Sequence, residues 1–194
     1  MKILCNGCSY TYGADLKDKS KRYSNYLSND VVNLAVGGQS NDLIVDNSIE
    51  WLENNECDYV VIQFTFPNRI SIIKNGGWTS IMPCTKDRKA KLYFLHIHDK
   101  EMGIRNLWKN VFTMEKYLES RNIPYFFWKL GKTHSKKQHS IYEPYRKLSK
   151  WKNMLHGSEF LHKHDRSLWV SDDKEHPNEK GHKLIADTLR EYIK

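Results

Sequence analysis

Three short apolar runs, at 2–6, 31–35 and 58–64, constrain this chain most. Each stops at a turn, and each is separated from the next by residues with helical spacing. Lys2-Ile3-Leu4-Cys5-Asn6 ends at Gly7, Val31-Val32-Asn33-Leu34-Ala35 runs into Gly37-Gly38, and Asp58-Tyr59-Val60-Val61-Ile62-Gln63-Phe64 runs into Pro67. Continuous apolar runs of this length read as strands buried on both faces, the habit of parallel sheets. Between them, Leu16, Tyr23, Tyr26 and Leu27 predict a helix within 14–28, and Leu43, Ile44, Ile49, Trp51 and Leu52 predict one over 42–54. Strand, helix, strand, helix, strand implies an α/β fold with right-handed crossovers.

The expected architecture is three-layer α/β/α around a short, flavodoxin-like parallel sheet. The second half continues the pattern. Ile104, Leu107, Trp108, Val111, Phe112 and Leu118 predict a helix over 101–121, and 124–130 predicts a further buried strand. Around 145–155 the spacing is partly helical, 168–170 is a short apolar piece that suits a last strand, and 177–193 predicts the closing helix, with Pro177 at its first position. Looser patterning marks insertions at about 67–100 and 131–166, the first with some strand content. At 194 residues the chain suits a single domain, 1–194, with a proper core. In open parallel sheets, ligands bind beyond the carboxyl ends of the strands. Ser9, Gly38 and the stretch 65–68 all fall there.

Two stretches near those ends carry chemistry. Asp173 and His176 lie three apart in Asp172-Asp173-Lys174-Glu175-His176-Pro177-Asn178-Glu179-Lys180-Gly181-His182. A carboxylate can fix the tautomer of an imidazole that takes a proton from a nucleophile. Gly7-Cys8-Ser9-Tyr10-Thr11-Tyr12-Gly13, directly after the first strand, offers Ser9 as that nucleophile. Taken alone, each stretch reads more readily as a helix cap.

Together, G-x-S-x-x-x-G at one end and D-x-x-H-P-N-x-x-G-H at the other resemble the SGNH/GDSL hydrolase family. Cys8 stands where the family usually has Asp. The resemblance implies a serine esterase or acylhydrolase with Ser9 as nucleophile, His176 as base and Asp173, selected over Asp172 by the family spacing, as orienting acid. It also implies a small-molecule or glycan ester as substrate, often an O-acetyl group on a carbohydrate, and no metal or organic cofactor. Oxyanion donors follow: the Ser9 N–H, and the Gly38 N–H, because Asn33-Leu34-Ala35-Val36-Gly37-Gly38 resembles the family's second block. The family's third donor is an asparagine in G-x-N-D. This chain reads Gln63-Phe64-Thr65-Phe66-Pro67-Asn68-Arg69 instead, so Asn68 is the expected donor, with Asn41 and Thr65 as alternatives. The G-C-S-x-T-x-G start and altered third block look like compact variants found in tailed-phage and bacterial genomes.

Charge adds a second hypothesis. Segment 129–166 holds ten Lys and Arg against three acids, which accounts for most of the formal net charge of +8. An anionic ligand is expected there, and a catalytically silent module that binds nucleic acid or another anion through this segment is the alternative function. Among nine histidines, His96-x-His98 and His162-x-His164 have no third partner by spacing, so no metal site is expected. Cys5-x-x-Cys8 suggests a redox pair, ranked last because no cation nearby in sequence would lower a thiol pKa. No apolar run approaches the roughly 20 residues that span a bilayer, and 2–6 is too short for a signal-peptide core. The expected location is cytoplasmic, with thiols reduced.

Overall fold

The computed structural model describes residues 1–74, 76–130, 143–150, 154–157, 161, 165–171 and 174–193. From the N-terminus come β1 (Lys2–Asn6), α1 (Ser9–Tyr12), α2 (Tyr23–Leu27), β2 (Asp30–Asn33), α3 (Asn41–Asn54) and β3 (Tyr59–Phe64). A hairpin of β4 (Ile70–Lys74) and β5 (Gly77–Ile81) follows, then α4 (Arg88–His96), α5 (Lys100–Ser120) and β6 (Tyr125–Lys129). The last part holds α6 (Glu143–Leu148), β7 (Leu155–His156), β8 (Trp169–Ser171), β9 (Lys174–Pro177) and α7 (Glu179–Arg190).

Five strands form a central parallel sheet in the order β2-β1-β3-β6-β7. Alternation along the strands sorts the core into two layers. Leu4, Val60, Ile62, Phe64 and Phe127 face α3 and α5, where they meet Ile44, Leu52, Leu107, Trp108 and Val111. Ile3, Cys5, Val61, Phe126 and Trp128 face the other way, toward α2 and α7, where they meet Tyr23, Ile185 and Leu189. Each such side chain taken fully from water contributes roughly 1.5–3 kcal/mol. This is the expected α/β/α architecture. The chain leaves β1 for β2 on one side and returns to β3 on the other, so the order reverses between β1 and β3. In open parallel sheets such a reversal marks the place, at the carboxyl ends of those two strands, where ligands bind.

Several local expectations change. The helix within 14–28 shrinks to Tyr23–Leu27, because Gly13 and Asp15 take left-handed φ values of 72° and 65° and break the run. The piece at 168–170 pairs with β9 in a separate antiparallel hairpin and does not join the central sheet. Within 145–155, the helix stops at Leu148 and Leu155 begins β7. Pro177 ends β9. Asn178 instead caps α7, its side chain accepting from the N–H groups of Lys180 and Gly181. The first insertion holds a hairpin and also the helix α4, started by the Asp87 side chain. Among the described residues no helix is long and apolar enough to cross a membrane.

Candidate active site

The turn that carries Ser9 is built from β1. Asn6 ends the strand and locks it to α3: its amide donates to Ile44 O and Ser48 Oγ, both at 2.9 Å. The chain then bends at Gly7 into the single turn of α1. A Cβ on Gly7 would lie 2.4 Å from Thr11 Oγ1 and 2.7 Å from Gln63 Cβ, so only glycine lets the turn close. Gly13 takes the left-handed C-cap conformation and ends the helix. Ser9 thus sits at the N-terminus of α1, with only 8% of its surface exposed.

A buried hydrogen-bond chain braces this turn. Tyr23 O–H donates to Thr11 Oγ1 at 2.8 Å, Thr11 Oγ1 donates to Gln63 Oε1 at 2.5 Å, and Gln63 Nε2 donates to Cys8 Sγ at 3.1 Å. Gln63 Oε1 also accepts the Thr11 N–H at 3.1 Å. Asn33, at the end of β2, donates to Thr11 O and to Ser24 Oγ. Strands β1, β2 and β3 and helix α2 therefore all converge under the proposed nucleophile. Sequence reasoning missed Gln63 and Asn33 in these roles. The available signal was a polar amide inside an otherwise apolar strand, where burial demands a partner.

The opposite end of the chain meets this turn from the side. Helix α1 packs against β9, and the Tyr10 ring stands edge-on to His176 with centroids 5.9 Å apart and to Trp169 at 6.4 Å. His176 Nδ1 lies 2.8 Å from Asp15 Oδ2, each side chain about 30% exposed. A carboxylate at that distance accepts an N–H, which selects the tautomer protonated on Nδ1 and leaves Nε2 as the acceptor. Asp15 was not among the sequence-level candidates; its only signal was a carboxylate six residues after Ser9. Asp172 and Asp173 lie outside the described residues, so the spacing-based pairing of Asp173 with His176 has no counterpart to report.

The rest of the C-terminal motif has structural work. Asn178 donates to Ser167 O and Trp169 O while capping α7, which ties the β8–β9 hairpin to the helix. His182 is fully buried, stacks on Tyr23 and accepts the Tyr23 N–H at its Nδ1. Burial, with the positive charges of Lys19 and Arg22 adding to it, pushes its pKa down to about 3, so it is a neutral core group.

The expected oxyanion donors lie beyond the strand ends. Gly38 has φ 80° in the turn after β2, and a Cβ there would lie 3.0 Å from Met82 Cε, just past β5. The Ser40 N–H donates to Ser80 Oγ and the Ser40 and Ser71 hydroxyls meet at 2.5 Å, so the β4–β5 hairpin walls this turn. Asn41 is buried, accepting the Thr65 N–H at 2.8 Å and donating to Thr65 O at 3.3 Å. Both ends of its amide are thus engaged in joining α3 to the end of β3. The Thr65 hydroxyl is buried without a hydrogen-bond partner among the described residues. Asn68 is exposed in the turn after β3. Of the basic segment, Lys132, Lys136, Lys137, Lys152 and Lys163 lie outside the described residues. Cys5 is wholly buried, and burial pushes its thiol pKa up, against a reactive thiolate.

Solved structures with this fold are readily found. The chain superposes on a member of the lipolytic protein G-D-S-L family from Veillonella parvula DSM 2008 at TM-score 0.56 and 16% identity, covering 98% of this chain and 97% of that one. The psychrotrophic esterase EstA from Pseudoalteromonas sp. gives TM-score 0.59 at 15% identity, with 99% and 96% covered. The acetyl xylan esterase AlAXEase gives 0.56 at 15% identity, both chains covered in full. No family model matches the sequence. No curated protein matches it either.

Proposed function

We propose that this chain, which has the fold of the G-D-S-L lipolytic proteins, is a serine ester hydrolase. One observation carries the reading. The turn bearing Ser9 and the strand bearing His176 come from opposite ends of the sequence, yet pack together beyond the carboxyl end of β1. In the proposed reaction Ser9 Oγ attacks the acyl carbonyl while His176 Nε2 takes its proton. Negative charge on the carbonyl oxygen is met by the N–H groups of Ser9 and Gly38. Asn68 is the third donor, with Asn41 and Thr65 as alternatives, and each well-aimed donor lowers the barrier by roughly 2.7–4 kcal/mol. The tetrahedral intermediate collapses, and His176 returns the proton to the departing alcohol. Water, deprotonated by His176, then cleaves the acyl-serine. The D-x-x-H spacing offers Asp173 as the acid that orients His176, and Asp15, 2.8 Å from His176 Nδ1, is the rival carboxylate.

The substrate class proposed is a small-molecule or glycan ester, an O-acetyl group on a carbohydrate first. Two facts support it. A neighbour in fold is named an acetyl xylan esterase. Trp78, half exposed, also projects from the hairpin that walls the Gly38 turn, and aromatic faces stack on sugars. A module that only binds anions through 129–166 has no observation of comparable weight behind it.

The test is hydrolysis of p-nitrophenyl acetate, with fluorophosphonate labelling, by wild type and Ser9→Ala. Wild type is expected to turn over and label, and the variant to lose both, its kcat falling at least about a thousandfold with the fold intact. A folded wild type that neither labels nor turns over would overturn the reading.

A further inference from the structure

We infer that Asp15 is the carboxylate that positions His176, so that nucleophile and orienting acid share one loop. This rests on the hydrolase reading of Ser9 and His176. The contact is direct, 2.8 Å from Asp15 Oδ2 to His176 Nδ1, across 161 residues of sequence. The backbone is arranged to make it. Gly13 ends α1 in the left-handed region, and Asp15 repeats that conformation two residues later at φ 65°. Non-glycine residues seldom adopt it, Asp and Asn most readily. The double reversal carries the side chain at 15 back over α1 toward β9.

The loop is anchored to the nucleophile's own helix. The Ala14 N–H donates to Ser9 O at 2.8 Å, Lys19 Nζ donates to Gly13 O at 2.6 Å, and Leu16 is buried in the core. A shift of Ser9 therefore moves Asp15 with it, and through Asp15 the imidazole. With Nδ1 held by the carboxylate, Nε2 is the nitrogen available to the serine. The arrangement departs from D-x-x-H, in which the acid shares a loop with the histidine.

The experiment compares Asp15→Asn, Asp15→Gly and Asp173→Asn on p-nitrophenyl acetate. Asparagine and glycine both tolerate the left-handed backbone, so each removes the charge while keeping the turn. Both Asp15 variants are expected to lose about 10²–10⁴-fold in kcat, the range for a wrong-tautomer histidine, with KM within about twofold of wild type. Asp173→Asn is expected to lose less than about tenfold. Wild-type kcat in the folded Asp15 variants, beside a loss in Asp173→Asn, would overturn the assignment and leave the hydrolase reading standing. Imidazole ¹⁵N spectra give a readout independent of turnover. His176 is expected as the Nδ1–H tautomer in wild type and as a mixture in Asp15→Asn. An unchanged tautomer would overturn the assignment even if no ester were cleaved, whereas absent turnover with the expected tautomer change would overturn only the hydrolase reading.

Discussion

The turn carrying Ser9 and the hairpin carrying His176 meet, but they are held in different ways. Around Ser9 the nearest supports are buried: Gln63, Thr11, Tyr23 and Asn6 are fully enclosed, Gly7 leaves no room for a methyl group, and of the bracing side chains Asn33 alone is half-buried. Around His176 the supports are partly wet, with the Asp15 pair about 30% exposed and the half-buried Asn178 just past the end of a two-stranded ribbon outside the main sheet. Buried polar networks are costly to damage, because a group stripped of its partner keeps its desolvation penalty, while exposed pairs contribute little. The turn around Ser9, the proposed nucleophile, is thus a stability site in its own right, whereas His176, the proposed base, is held by contacts that matter for orientation more than for folding.

Four substitutions or conditions sharpen that contrast. Gln63→Leu strips the Thr11 N–H and hydroxyl of their acceptor, and at about 1–3 kcal/mol for each group it should cost roughly 2–6 kcal/mol in urea unfolding. A cost under about 1 kcal/mol would show that the brace is idle. Gly7→Ala drives a methyl into Thr11 and Gln63 and should cost about 1–3 kcal/mol, read as a lower Tm. Unchanged Tm would mean that the turn has slack the packing does not suggest.

Acid supplies the third. The His182 pKa is about 3 folded against about 6.5 unfolded. Between those values the unfolded chain binds the extra proton, so His182 should make stability fall as pH drops from 6.5 toward 3, by at most about 1.4 kcal/mol per pH unit. His182→Asn should flatten that slope, and an equal slope in the variant would assign it to other groups. Smallest, Asn178→Ala removes a cap and two hairpin bonds on the base side. It should cost only about 1 kcal/mol of stability while lowering kcat more than Gln63→Leu does per unit of stability lost. The reverse ranking would dissolve the contrast between the two halves.

The strand-and-helix alternation was legible because strands buried on both faces have no need of polar residues. The runs at 2–6 and 58–64 therefore announce themselves, and the sheet they imply sets where ligands bind. Ser9 and His176 stood out by similar logic, one on a glycine-bracketed turn and one before a proline and a capping asparagine. The helix expected over 14–28 failed on the two left-handed residues, and Asp15 gives no local sign of that conformation. The apolar piece at 168–170 looked like a sheet strand because an apolar triplet does not name its partner, and its partner is β9.

Composition and spacing along the chain were thus enough for the layers, the order of the main strands and helices and the choice of Ser9 and His176 as candidates, since these follow from local periodicity and from which residue types can do the chemistry. Which carboxylate faces His176, and which amide holds the nucleophile turn, depended on contacts across 161 and 52 residues of sequence. Such pairings exist only once the sheet has closed and both groups share one desolvated corner, so no local pattern encodes them.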